Sequence, residues 1–316
     1  MKKILIIENN LHKIFNKKNF KINLSWLIFD KIFRASLNIF LLIILARNLG
    51  PENFGILNYL LAFIFLFTTM SSIGMNPILT NKIINEKSKS NHDTIINAYY
   101  ARFIFSLINY LLFIIIINFL NKEEVYSQYS LIIGIGIILK SSEVFFSYFE
   151  AKSLSKYIVI SQLIGLLISL CFIIVVFIKN LNNIYIYYAL VLDILIVFFI
   201  INFIYFTLNK KKFVKIDFHI LKVIIKKSLP VLLSSLSIIL YMRIDQIMIN
   251  SMINERELGI YSVSVRMVEI FHFIPKIIMI SYLPILLISK NYNFNLIKIK
   301  SLLFKISLIV IFIIFI

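Results

Sequence analysis

Nine stretches of the chain, at about 24–47, 54–79, 95–120, 127–150, 158–178, 185–208, 228–251, 258–288 and 299–316, are apolar for long enough to cross a bilayer. A hydrocarbon core about 30 Å thick offers backbone N–H and C=O groups no partner, so such runs must become helices that satisfy those groups internally. Composition agrees: 60% of residues are hydrophobic and 15% charged, with a mean hydropathy of +0.92, against about 45–50% and 25% in soluble domains. The expected fold is an all-α polytopic membrane protein. The ninth run, SLLFKISLIVIFIIFI, stops at Ile316 with no flanking charge or polar tail, and reads as a helix cut short.

The formal charge is +18, from 33 Lys and Arg against 15 acidic residues. So basic a chain points to nucleic acid or to an anionic membrane surface, and the placement of the charges decides between them. Richness in Ile, Lys, Asn and Phe resembles low-GC coding, so the distribution weighs more than the total. Alternate connections carry twenty-one Lys and Arg on one side of the membrane and four on the other. Short cytoplasmic loops hold such an excess. The N-terminus is therefore expected in the cytoplasm, with the lysines facing anionic lipid and no nucleic-acid partner.

The first residues, MKKILIIENN, have too short an apolar stretch for a cleaved signal. Leu11, Ile14 and Phe15, beside Lys13, Lys17 and Lys18, suit either a short surface helix or a solvated tail. Cys171 is the single cysteine, lies in an apolar run and reads as a buried, inert thiol. His12, His92, His219 and His272 show no ligand spacing. No metal or other cofactor is expected.

The organisation read from the runs is a basic tail at 1–23, a six-helix lobe at 24–208, a basic linker at 209–227 along the inner leaflet, and a partial second lobe at 228–316. A faint repeat supports two lobes. Pro51-Glu52-Asn53-Phe54-Gly55-Ile56 follows span 1, and Glu255-Arg256-Glu257-Leu258-Gly259-Ile260 follows span 7, at an offset of 204 residues. Six spans per offset make the repeats parallel, related by an axis along the membrane normal.

Charges inside spans are costly, about 2.5–3.5 kcal/mol each at the bilayer centre, and must face a cavity or one another. At 100° per residue, Asp30, Lys31, Arg34 and Asn38 share a sector of span 1. Lys140, Glu143, Ser147 and Glu150 share one in span 4, and Arg266, Glu269, His272 and Lys276 one in span 8. Three polar stripes on apolar helices suggest a hydrated interior. The spacing of Asp30 with Arg34, Lys140 with Glu143 and Arg266 with Glu269 equally suits neutralising pairs along one helix. Lys31 and Lys276 also suit snorkelling from helix ends. Arg243 and Asp245, two residues apart, point away from each other, so each needs a partner on another helix. Asp193 stands alone among Leu and Ile, suited to a proton or cation site or to a polar helix end.

Within the spans the cations Lys31, Arg34, Arg102, Lys140, Arg243, Arg266 and Lys276 face the anions Asp30, Glu143, Asp193, Asp245 and Glu269. That excess leans toward an anionic substrate, phosphate being a usual partner of arginine.

Two blocks carry a resemblance. Ala46-Arg47-Asn48-Leu49-Gly50-Pro51-Glu52-Asn53-Phe54-Gly55, leading to Ser72-Ile73-Gly74-Met75, resembles the first helical hairpin of Wzx-type O-antigen and polysaccharide flippases. Tyr241-Met242-Arg243-Ile244-Asp245-Gln246, then Leu258-Gly259-Ile260-Tyr261-Ser262 with Arg266, Glu269 and Pro275, is similar to that family's seventh and eighth helices.

The resemblance implies about twelve helices in two six-helix lobes, similar to multidrug and toxin extrusion (MATE) transporters, rocking about a central cavity. The first lobe would be complete here and the second partial. It implies translocation of an undecaprenyl-diphosphate-linked oligosaccharide, such as an O-antigen or capsule repeat unit, to the outer leaflet of the bacterial inner membrane, driven by an ion gradient. A polysaccharide polymerase and a chain-length regulator would be partners. Arg243, Asp245, Arg266 and Glu269 match the motif positions. Arg243, Arg266, Arg34, Lys31, Lys140 and Lys276 are candidates to hold diphosphate or sugar, and Asp245, Glu269, Asp30, Glu143 and Asp193 candidates for ion coupling or charge pairing. Gly50, Pro51, Gly55 and Gly259 are candidate hairpin residues, Pro being favoured in the first turn of a helix. The chain's length leaves about three and a half helices unaccounted for.

Two rival functions share parts of this pattern. A MATE-like drug or metabolite exporter would carry a more acidic cavity. A membrane-embedded polymerase or glycosyltransferase would need a large catalytic loop, and no internal loop exceeds about twenty residues. Gly134 and Gly136 lack a following GK[ST], so no nucleotide loop is indicated. The chain is expected to be a transporter and not an enzyme.

Overall fold

The computed structural model describes residues 17–85, 91–121, 123–209, 216–271 and 301. The helices, in chain order, are α1 (Lys17–Ser72), α2 (Met75–Asn85), α3 (Asn91–Leu120), α4 (Glu124–Leu139), α5 (Val144–Ala151), α6 (Lys156–Ile178), α7 (Ile184–Asn209), α8 (Phe218–Met252) and α9 (Glu255–Phe271). A single 3-10 turn, Lys140–Glu143, joins α4 to α5. Six helical stretches among the described residues are long and apolar enough to cross a membrane, and the protein is an all-α, multi-pass membrane protein. The basic tail before residue 17, most of the eighth span with Lys276, and nearly all of the ninth lie outside the described residues.

α1 is two helices in one. Gly50 breaks it with φ 72 and ψ 171, and Pro51 starts the next helix. Only glycine adopts that backbone without strain, and proline costs nothing where a first-turn N–H has no partner. Leu45 and Phe54, Leu42 and Leu57, and Asn38 and Leu61 line one cavity. Residues at matched distances from Gly50 thus face each other, and the two arms run antiparallel.

In lipid, apolar contact alone gives little drive for helices to associate, so packing and polar bonds hold the bundle. Two buried clusters do the packing. One gathers Leu45, Leu49, Phe54, Tyr59, Tyr126, Ile173, Tyr187 and Leu258 at the Gly50 end. The other gathers Met75, Leu79, Ile95, Phe145, Phe149, Tyr205 and Ile224 at the opposite end. The outer faces carry large apolar side chains, among them Ile115, Phe119, Phe199 and Phe203. Cys171, expected to be buried, is exposed on α6. An apolar run in lipid has no inner face that its sequence alone marks.

α8 also departs from expectation. It starts at Phe218, ten residues before apolar span 7, because Asp217 caps it by accepting from His219 N at 2.9 Å and Ile220 N at 3.2 Å. Asn97 Oδ1 on α3 accepts the Asp217 N–H at 2.7 Å. Lys222, Lys226 and Lys227 therefore stand on the first turns of a long helix.

Candidate functional site

The functional geometry begins where α9 meets α1. A Cβ placed on Gly55 would collide with the backbone carbonyl of Glu255, and one placed on Gly259 with that of Pro51. Glu255 stands four residues before Gly259, as Pro51 does before Gly55. This reciprocity is the mark of a two-fold relation between surfaces, in register with the 204-residue offset. Only glycine lets the two backbones approach so closely. Beside this seam Tyr126 on α4 donates to Glu255 at 2.8 Å, Asn250 donates to the Tyr126 hydroxyl at 3.3 Å, and Tyr59 packs edge-on against Tyr126.

Away from the seam a cavity of about 430 Å³ opens between the arms of α1 and helices α6, α7 and α9. Its walls are mostly apolar, with leucine the commonest residue, and are interrupted by Asn38, Ser169, Asp193, Arg266 and Glu269. Arg266 Nε donates to Asn58 Oδ1 of α1 at 2.8 Å. Arg243, buried on α8, pairs with Glu269 at 3.0 Å and lies 4.8 Å from the ring centre of Phe65. Asp193 is set where α6 and α7 come close, because a Cβ on Gly165 would lie 2.5 Å from its carboxylate. Arg34 and Lys140 are the cations whose fields reach it.

Lys140 faces Phe65 at 5.8 Å and lines a second cavity of about 430 Å³. There Arg102, only 2% exposed, donates to Asn76 Oδ1 at 3.0 Å and pairs with Glu143 at 2.7 Å. Phe65 stands beside both cavities. The first cavity is walled in part by the Gly50-end cluster, through Leu42, Leu45, Phe54 and Leu57, and the charges predicted from the spans collect around the two cavities.

Several sequence expectations are corrected here. Glu143 pairs with Arg102 of α3 and not with Lys140, and Glu269 with Arg243 of α8 and not with Arg266. Side chains one turn apart on a helix meet only at the surface of that helix, whereas inward-facing charges find shorter routes to a neighbouring helix. The span 4 stripe is broken as well, since the 3-10 turn rewinds it and Glu150 ends exposed. The demand that Arg243 and Asp245 each find a partner elsewhere is met. Asp245 accepts from Tyr261 of α9 and from its own neighbour Gln246 N, the latter at 2.7 Å.

Arg243, Arg266, Glu269, Asp193, Lys140 and Glu143 are thus gathered around the two cavities, with Arg34 near Asp193. Asp245 is held apart by Tyr261. The side chains of Asp30 and Lys31, and all of Lys276, lie outside the described residues. Asn58, Phe65, Asn76 and Tyr126 were not singled out in the sequence, and Arg102 was counted as a membrane cation without a place in the site. The cost of an arginine inside a span was the signal for Arg102. The asparagines gave none.

No curated protein and no solved structure matches the chain. The family model described as polysaccharide biosynthesis protein matches residues 20–287, well over half of the sequence, and the chain belongs to that family.

Proposed function

We propose that the protein is a Wzx-type flippase. It moves an undecaprenyl-diphosphate-linked oligosaccharide from the cytoplasmic to the outer leaflet of the inner membrane by alternating access, and it is a transporter, not an enzyme. The observation that carries this reading is the Arg266 cavity, a guanidinium set among leucines at the meeting of α1 and α9 in a polysaccharide biosynthesis chain. Arg266 is hydrogen-bonded to the neutral Asn58 amide, while Glu269 is engaged by Arg243; a diphosphate is a charged partner that such a guanidinium can take, while the prenyl tail stays in lipid. The lysine asymmetry supports a cytoplasmic N-terminus, which puts the Gly55–Gly259 seam at the outer face. With that end closed, the cavities are reached from the cytoplasmic side, where the substrate is made. The stretches 24–208 and 228–316 act as the two rocking units in this scheme, joined by the Lys-rich segment facing anionic lipid. Asp193, under the influence of Arg34 and Lys140, is a candidate for ion coupling. A polymerase and a chain-length regulator would act on the delivered repeat unit.

A strain lacking the gene tests this. It should accumulate lipid-linked oligosaccharide on the inner leaflet and lose surface glycan, and the full-length protein should reverse both. A strain with normal surface glycan and heightened drug sensitivity would favour the MATE-like exporter instead.

A further inference from the structure

Span 4 is interrupted at mid-helix by the 3-10 turn Lys140–Glu143. Irregular backbone at membrane depth is tolerated where it lines a cavity, and broken helices mark binding sites in transporters. The turn borders the second cavity, whose chemistry differs from that of the Arg266 cavity. Where leucines dominate the first, Thr68, Thr69, Ser72, Asn76 and Ser235 line the second alongside the charged trio Arg102, Lys140 and Glu143.

The polar groups there are both donors and acceptors. Thr68, Thr69 and Ser72 spend their protons on helix carbonyls at 2.7, 2.8 and 2.7 Å, leaving oxygens that accept. Glu143 uses one carboxylate oxygen on Arg102, and the other accepts. On the donor side stand the Lys140 ammonium and the Asn76 amide N–H groups. A diphosphate, which only accepts, would leave half of these groups idle. A metal or alkali cation would meet two positive charges against one negative. A ring of neighbouring hydroxyls, each donating and accepting, matches the walls.

We infer that the second cavity is a sugar subsite, distinct from the Arg266 cavity. It takes the saccharide attached to the diphosphate. This rests on the flippase reading and adds to it where the glycan sits.

Alkylation of engineered cysteines tests the assignment in the purified full-length protein carrying Cys171→Ser. Ser235→Cys and Thr69→Cys report on the second cavity, and Asn38→Cys on the first. The probes are farnesyl diphosphate and the same lipid diphosphate bearing one N-acetylhexosamine. At about nine times its Kd, a probe that covers a cysteine slows labelling about tenfold. The sugar-bearing probe should protect all three positions, and farnesyl diphosphate only Asn38→Cys. Equal protection of Ser235→Cys and Thr69→Cys by both probes, or by neither while Asn38→Cys responds, overturns the subsite and leaves the flippase reading standing. If no position responds to either probe, the flippase reading fails and the subsite with it.

Discussion

At the seam between Gly55 and Gly259, α1 and α9 touch backbone to backbone. Some 10–15 Å further along the same helices, at Phe65 and Arg266, they stand apart around a largely apolar hollow that holds a few charged groups. One pair of helices thus makes a closed contact at one end and a cavity at the other, and the difference comes from side-chain size. Two glycines remove everything that would hold the backbones apart. A phenylalanine and an arginine then prop them open and fill the space with groups that need partners. Closure needs no ion pair between α1 and α9 at the seam, where Tyr126 and Asn250 cover the junction from α4 and α8. The hollow carries the Arg243–Glu269 pair and the Arg266–Asn58 bond.

The largest expected effect is on the polar side. Arg102→Ala strips Glu143 and Asn76 of their partner, and because Glu143 is itself 29% exposed the cost falls at the lower end of that for a buried pair, about 3 kcal/mol. Thermal unfolding in detergent should show a steep loss, and Arg102→Met with Glu143→Leu should recover most of it. A single variant as stable as the native protein would mean that the second cavity is wetter than its burial indicates.

The seam comes next. Gly55→Ala and Gly259→Ala each drive a methyl group into a carbonyl, an overpacking worth about 1–3 kcal/mol. Because the contact is reciprocal the two losses should be alike, and melting of both variants checks this. A loss at one glycine alone would break the two-fold comparison.

Smaller still is Arg266→Ala, which removes one charged hydrogen bond worth about 1.5 kcal/mol and should leave the protein in the membrane. Lys140→Ala closes the series. Half-buried, over the Phe65 ring at 5.8 Å and more than 4 Å from every described carboxylate, Lys140 should change stability by no more than about 1 kcal/mol, although on the flippase proposal its loss should slow transport.

The helical, membrane-spanning class was legible from the apolar runs, because the bilayer tolerates nothing else of that length. The hairpin at Gly50-Pro51 was legible too, since both residues have backbone reasons to stand there. The repeat in Gly55 and Gly259 was visible as a pattern, but the contact between its two copies belongs to tertiary structure. Site residues were readable by type and not by partner. The energetic cost of burying Arg243 or Arg266 is local, so sequence exposes it. The identity of Glu269 or Asn58 as the group that offsets that cost depends on which helices adjoin. Asn58 and Asn76 passed unnoticed because an uncharged amide costs too little in a helix to stand out.

The most direct test compares surface glycan with membrane content of the protein in cells carrying full-length Arg266→Ala in place of the native gene. Loss of surface glycan at an unchanged amount of protein is the result expected if the substrate's diphosphate is held in the Arg266 cavity. Normal surface glycan in that variant would contradict the account.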